Sequence, residues 1–132
     1  MKFLEDFTNY VLELRKDRPN LIISGDVNIA HKDIDINFPK KHTTMSGFLP
    51  EERAWVDQFI KKGFVDSFRV FNQQPEQYSW WTYRAQAREK NLGWRIDYHF
   101  ITSSVLNRLK SAAIYQHVQQ SDHCPVSIEM EF

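Results

Sequence analysis

The chain lacks a cysteine pair: Cys124 is the only cysteine among its 132 residues. No intramolecular disulfide can form, which fits a reducing compartment. Net charge is also absent, with 17 basic side chains against 17 acidic ones. Global charge therefore gives no argument for a polyanionic partner, and any phosphate binding must come from a local cluster or a metal. No stretch approaches the apolar length of a membrane span, and the run Met1 to Asp6 is charged too early for a secretory signal. The expected location is the cytoplasm. Repeats, low-complexity tracts and linkers are missing too, and the length suits one domain. What is abundant is aromatic: four Trp, five Tyr and ten Phe, within an apolar share of 42% that supports a packed core rather than disorder.

Periodicity sets the expected elements. Phe3, Phe7, Tyr10, Val11 and Leu14 recur at helical spacing, which predicts a helix from about Lys2 to Lys16. Leu21 to Ser24 reads as a buried strand. Ala30 to Ser46 is polar and irregular. Pro50 with Glu51 and Glu52 marks a second helix with an apolar face of Trp55, Val56, Phe59 and Ile60, ended by Gly63. Asp66-Ser67-Phe68 reads as a connection, Tyr78 to Tyr83 as β-prone, and Arg84 to Gly93 as a basic loop. Trp94 to Ile101 alternates, with Trp94, Ile96, Tyr98 and Phe100 on one face and Arg95, Asp97 and His99 on the other. A turn around Val105 to Leu109 precedes an expected strand from Ile114 to Val118, and Val126 to Phe132 alternates to the end. The layout is mixed α/β.

Three segments carry chemistry. Asp26 and Asn28 follow the buried strand, and would project to one side if the extension continues past Gly25. Loops beyond strand ends are where α/β folds place ligands. Asp97 sits mid-strand among bulky apolar neighbours, and a carboxylate there needs a partner. Arg95 is a poor one, being a neighbour on the same face. An imidazole brought from elsewhere is better, because a carboxylate accepting from one ring nitrogen fixes the tautomer. His123, in Ser121-Asp122-His123, is the candidate; His99 reads as a face residue, and His31, His42 and His117 sit in polar or edge contexts. Cys124 reads as a small buried residue, not a nucleophile. Carboxylates, a carboxamide and an imidazole together suit metal-assisted cleavage of a phosphate ester.

Gly25-Asp26-Val27-Asn28-Ile29-Ala30, Trp94-Arg95-Ile96-Asp97-Tyr98 and Ser121-Asp122-His123-Cys124-Pro125 resemble the exonuclease III family of apurinic/apyrimidinic (AP) endonucleases, in the endonuclease–exonuclease–phosphatase superfamily. The connecting text fits as well: His31 to Asp35, Gly47-Phe48, Glu51 to Arg53, Val65 to Phe68 and Trp81 to Tyr83. The resemblance implies that Asp26 positions or deprotonates the attacking water, that Asn28 holds water and phosphate, that Asp97 orients His123, and that His123 contacts the scissile phosphate. It implies Mg²⁺ or Mn²⁺ held near Asp26, Asn28 and Asp122. Trp80, Trp94 and Ile96 match positions that shape a pocket for an abasic sugar, and Arg84 belongs to the basic loop facing DNA.

Residues 1–132 resemble only the C-terminal half of the family's domain. The expected fold is therefore half of a four-layer α/β sandwich: one mixed sheet with helices on one face. The expected partners are double-stranded DNA with abasic sites and an N-terminal half that supplies the remaining acidic ligand. The chain alone is expected to be inactive, and to self-associate through an uncovered apolar sheet face. The implied activity is hydrolysis of DNA 5′ to abasic sites, with 3′-exonuclease activity alongside. The alternatives are a DNA-binding remnant without turnover, and a phosphatase or phosphodiesterase acting on another phosphate ester.

Overall fold

The computed structural model describes residues 1–132. Helix α1 spans Lys2–Asp17, β1 Ile22–Asp26, α2 Pro50–Lys61, β2 Phe64–Asp66, α3 Ser67–Phe71, β3 Asp97–Thr102, β4 Leu109–Ile114 and β5 Val126–Met130. Short 3₁₀ turns fill much of the remainder, including Asp33–Asp35, Pro39–Lys41, Arg84–Gln86 and Ser103–Arg108. No helix is long and apolar enough to cross a membrane.

Helix α2 begins where the sequence marks it. Pro50 needs no amide partner in the first turn, and the Glu52 carboxylate accepts the N–H groups of Leu49 and Gly47. Its buried face of Trp55, Val56 and Phe59 meets Val11 of α1 and Phe64, Tyr98 and Phe100 of the sheet. Phe59 stacks on Phe64 at 4.2 Å and meets Phe100 edge-on at 5.2 Å. Such pairs contribute about 0.5–1.5 kcal/mol each beyond the area they bury. The Trp55 indole donates to Thr8 Oγ1 at 2.9 Å, which satisfies both polar groups inside the seam between the helices. Helix α1 faces this seam through Leu4, Phe7 and Val11, while Phe3 and Tyr10, which fall on the predicted apolar face, point to solvent.

The α/β class holds, but the single mixed sheet does not. Pairing is antiparallel throughout and divided into two ladders, β1-β3-β2 and β4-β5. Register explains how they stack. Ile22, Ser24 and Asp26 of β1 lie opposite Ile101, His99 and Asp97 of β3, so these residues share the face away from α1 and α2. Ile101 there is roofed by Val105, Leu109, Ile128 and Met130. His99 donates from Nε2 to the Val126 carbonyl at 3.0 Å and accepts the Ser24 hydroxyl on Nδ1 at 2.6 Å. The expected bare apolar sheet face is thus absent: β4-β5 covers part of it, and the β1 column reads Ile22-Ser24-Asp26. Exposed large apolar side chains are scattered rather than gathered on that face, among them Phe3 and Tyr10 of α1, Phe38, Tyr83 and Phe132, while Ile22 stays exposed at the end of the β1 column.

Several expected boundaries move. Asp66-Ser67-Phe68 opens helix α3 instead of forming a connection, because Ser67 Oγ donates to the His99 carbonyl and anchors the turn to β3. Tyr78 to Tyr83 forms no strand, only isolated bridges from Trp80 to Trp94 and His123. Strand β4 ends at Ile114, where a strand to Val118 was expected, and β3 begins at Asp97 rather than Trp94. The reason for the last lies in Arg95.

Arg95 is buried, not on a solvent face. Its Nε donates to Asp35 at 2.7 Å, and its terminal nitrogens donate to both oxygens of Asp66. Arg69 adds a 2.6 Å bond to Asp35. The Arg95 amide meets the Asp35 carbonyl, so residues 94–96 follow the 33–36 turn instead of continuing the β3 ladder. The two carboxylates hold the Arg95 guanidinium firmly charged despite burial, and the two guanidiniums keep Asp35 below the usual carboxylate range against its own burial. Removing one partner of such a group leaves a dry, uncompensated charge. Arg95→Met should therefore cost about 3–5 kcal/mol in urea unfolding, while Arg84→Met on the exposed loop should stay within about 0.5 kcal/mol. An Arg95→Met variant within about 1 kcal/mol of the parent would show that the network is dispensable.

Candidate active site

The site forms where β1 ends beside the start of β3. Extension does not persist past Asp26. Val27 N–H bonds to the Ile96 carbonyl at 3.1 Å, and Asn28 then turns to φ 56°, a left-handed conformation that Asn tolerates better than most residues. Asn28 N–H donates to Asp26 Oδ1 at 2.7 Å. The two residues meet through a tight turn, not by sharing one side of a longer strand.

His123 arrives from the other end of the chain. Ser79, fully buried, accepts the amides of Ile96 and Asp97 on its hydroxyl at 3.0 and 3.1 Å, and its carbonyl takes the Cys124 N–H at 2.9 Å. One serine thus ties the Asp97 segment to the His123 segment. Arg88 secures the approach, donating to the carbonyls of Ser121, Gln116 and Val118 while lying over the Trp81 ring at 4.3 Å. Neither role shows in the sequence: Ser79 is a small residue within an aromatic run, and Arg88 sits in what reads as a solvated basic loop. With Arg88 and Arg95 both turned inward, that loop keeps Arg84 and Lys90 as its exposed cations.

Asp97 Oδ2 lies 2.8 Å from His123 Nδ1. A carboxylate only accepts, so Nδ1 carries the proton. His123 Nε2 is directed toward Asp26, 3.7 Å from its Oδ2. Ligand atoms of Asp26, Asp97 and His123 all fall within 4.8 Å of one another. The two carboxylates, partly exposed beside His123, form an oxygen donor pair into which a hard cation fits if substrate oxygens and water complete its shell. Asp122, expected beside Asp26 and Asn28 as a ligand, stands outside this group. Its carboxylate accepts from the Trp80 indole at 3.0 Å and from Ser121, and those bonds hold it below the usual carboxylate range.

The electrostatics favour proton traffic. Burial raises the Asp26 carboxyl above its usual range; the Asn28 amide opposes this, and the charge of Asp97 adds to it. His123 is pulled down by burial, but the hydrogen bond and charge of Asp97, with Asp26 and Asp122, lift it above 6.5 overall. Cys124 alongside is inert: burial pushes its thiol up to about 11.

A cavity of about 520 Å³ adjoins this chemistry, lined by Asn28 and His123 together with Trp80, Trp94 and Ile96. Trp80 and Trp94 meet edge-to-face at 6.0 Å. The loop behind Trp94 needs Gly47, which sits at φ 101°, where a Cβ would come within 2.6 Å of the Trp94 ring. Met45 and Ser46 complete the lining; both fall in the irregular stretch, where periodicity gives no signal. Arg84 is exposed and outside the cavity.

Comparison with known proteins agrees on one family. The model of the Endonuclease/Exonuclease/phosphatase family matches residues 1–123. An exodeoxyribonuclease of Bacillus subtilis (strain 168) is 43% identical over 129 residues, which is 97% of this chain and 51% of that protein. The DNA repair nuclease APEX1 of Danio rerio is 41% identical over 124 residues, covering 93% of this chain and 40% of that protein. Among solved structures, the 3′-5′ exonuclease NExo from Neisseria meningitidis superposes with a TM-score of 0.93 at 27% identity, over 99% of this chain and 53% of the other. The chain thus spans about half the length of the curated relatives it matches.

The Asp97–His123 pair has a measurable signature. In an NMR titration, His123 should titrate above its ordinary 6.5. Asp97→Asn removes the carboxylate but leaves the burial, so His123 should titrate below its value in the parent. Because the folded value is raised, the stabilisation from His123 is complete below pH ~6.5 and is lost as pH rises through the folded value. A His123 that titrates identically in parent and variant would contradict the pairing.

Proposed function

Because this chain belongs to the endonuclease/exonuclease/phosphatase family, on its exonuclease III and AP endonuclease branch, we propose that it carries the phosphodiester-cleaving residues of a DNA-repair nuclease. The reaction is hydrolysis of the DNA backbone 5′ to an abasic site, with 3′-exonuclease activity at the same centre. The observation that carries this reading is the line Asp97–His123–Asp26 at the head of an aromatic cavity.

Each residue has a task that its environment supports. Asp26, with its raised pKa, is a stronger base than a free aspartate, and accepts a proton from the attacking water. His123 keeps its Nδ1–H on Asp97, so only the Nε2 side faces a phosphate; the raised pKa favours its cationic form there. That fixed donor stabilises charge developing on the phosphate oxygens without reorganising. Asn28 lines the same cavity as His123, and its carboxamide is the group to hold water and phosphate there. Asp26 and Asp97 are the carboxylates that would hold Mg²⁺ or Mn²⁺, with Asn28 adjacent. A bound cation would neutralise phosphate charge and ease departure of the leaving oxygen. Trp80, Trp94 and Ile96 offer apolar contact to a sugar that has lost its base, and Arg84 on the exposed loop offers a cation to the DNA backbone. These aromatic walls favour DNA over a small phosphate ester.

In the natural full-length protein, Asp26→Asn or His123→Ala should lower kcat on a duplex with one abasic site at least ~100-fold. Affinity for that duplex should change by less than about threefold, since most contacts in such complexes are to the backbone elsewhere. Near-parental incision by either variant would refute the assigned roles, and a parent with affinity but no incision would mark a binding remnant.

A further inference from the structure

The cavity is larger than its proposed occupant requires. At about 520 Å³ it lies in the range of pockets that take whole drug-sized ligands. Its fixed walls therefore do not by themselves restrict entry to a sugar without a base. Those walls are held hard. Trp94 bridges both Ile36 and Trp80 by backbone pairing, receives the edge of the His42 ring at 5.4 Å, and backs onto Gly47. The Trp80 indole is tied to Asp122, and Ile96 is anchored through its amide to Ser79. Trimming the cavity falls to a wall that is not so held.

Met45 is that wall. It sits on the turn between Pro39–Lys41 and α2, held there by backbone bonds from its own N–H to His42 and from Phe48 N–H to its carbonyl. It lines the same cavity as Asn28 and His123, yet it is 46% exposed. Methionine is unbranched, with three rotatable bonds and a polarisable sulfur, so it can lie across an opening and take the shape of what it meets.

We propose that Met45 is a specificity-determining residue: its side chain narrows the cavity so that a nucleotide lacking its base enters more readily than one that retains it. The proposal rests on the DNA-nuclease reading above and goes beyond it by naming what separates incision at abasic sites from removal of intact nucleotides. Met45→Ala opens the space that a base would need. Met45→Leu keeps nearly the same volume and should retain the selectivity.

The test measures kcat/KM on two duplexes with the natural full-length protein, one with an internal abasic-site analogue and one with an intact 3′ end. In Met45→Ala the ratio of the two should move about tenfold toward the intact end, the scale expected when a few methylene-sized groups control entry. Met45→Leu should stay within about threefold of the parent. Because Met45 is exposed, Met45→Ala should fold, and a circular dichroism melt confirms it. If the parent incises the abasic duplex and the Met45→Ala ratio stays within about twofold, the role of Met45 is wrong while the nuclease reading stands. If the parent acts on neither duplex, the nuclease reading falls and takes this proposal with it.

Discussion

Arg95 stands in the dry interior between Asp35 and Asp66, and the rest of the site is arranged around that fact. Placing a guanidinium there is costly unless it is paired, and here each of its three nitrogens donates to one of two carboxylates that are also buried. The arrangement leaves little freedom to its neighbours. With Arg95 turned inward, Trp94 and Ile96 on either side turn to the cavity, and Asp97 begins β3 facing His123. A residue that never meets the reacting atoms thus fixes the orientation of three that line or adjoin them. Asp35 extends the constraint to the irregular segment after Asn28, whose bridge at Ile36 braces Trp94 from behind.

Ser79 provides the other tie. One hydroxyl accepting two amides and one carbonyl accepting a third join chain segments more than forty residues apart. Together Ser79 and Arg88 explain how a segment with no regular structure, Gln116 to His123, delivers an imidazole to a defined place. Rigid supports of this kind matter for a site whose chemistry depends on a donor already aimed at its target.

The elements with a strong period were legible in the sequence. Both long helices fall within a residue or two of their expected ends, because Pro50, Gly63 and Pro19 punctuate them; β1 lies where its apolar run places it, but it is not the buried strand expected, since Ile22 and Ser24 are exposed and Ile23 only partly buried. The meeting of Asp26, Asn28, Asp97 and His123 in one place was also foreseeable, from strand ends and from the need of Asp97 for a partner. What the sequence concealed is what packing decides. Arg95 reads as a surface cation by alternation alone, because nothing local reveals that Asp35 and Asp66 arrive beside it. Asp122 enters as a metal-region residue only through the resemblance, and nothing in the sequence shows that its carboxylate accepts from the Trp80 indole. The sheet was foreseen as bare and apolar, but the Ser24–His99 pair and the β4-β5 ladder give it a partly covered, partly polar face.

Cys124 adjoins His123 in the chain, and its burial has a consequence for how the site withstands its surroundings. The thiol gives its weak hydrogen bond to the Tyr78 carbonyl, and burial holds it at about 11, so almost no thiolate exists at neutral pH. Peroxide and electrophiles react with thiolates, and the only sulfhydryl of the chain presents none. At neutral pH the sulfhydryl one residue from the imidazole therefore stays a neutral thiol, and it sets no second nucleophile and no added negative charge beside His123.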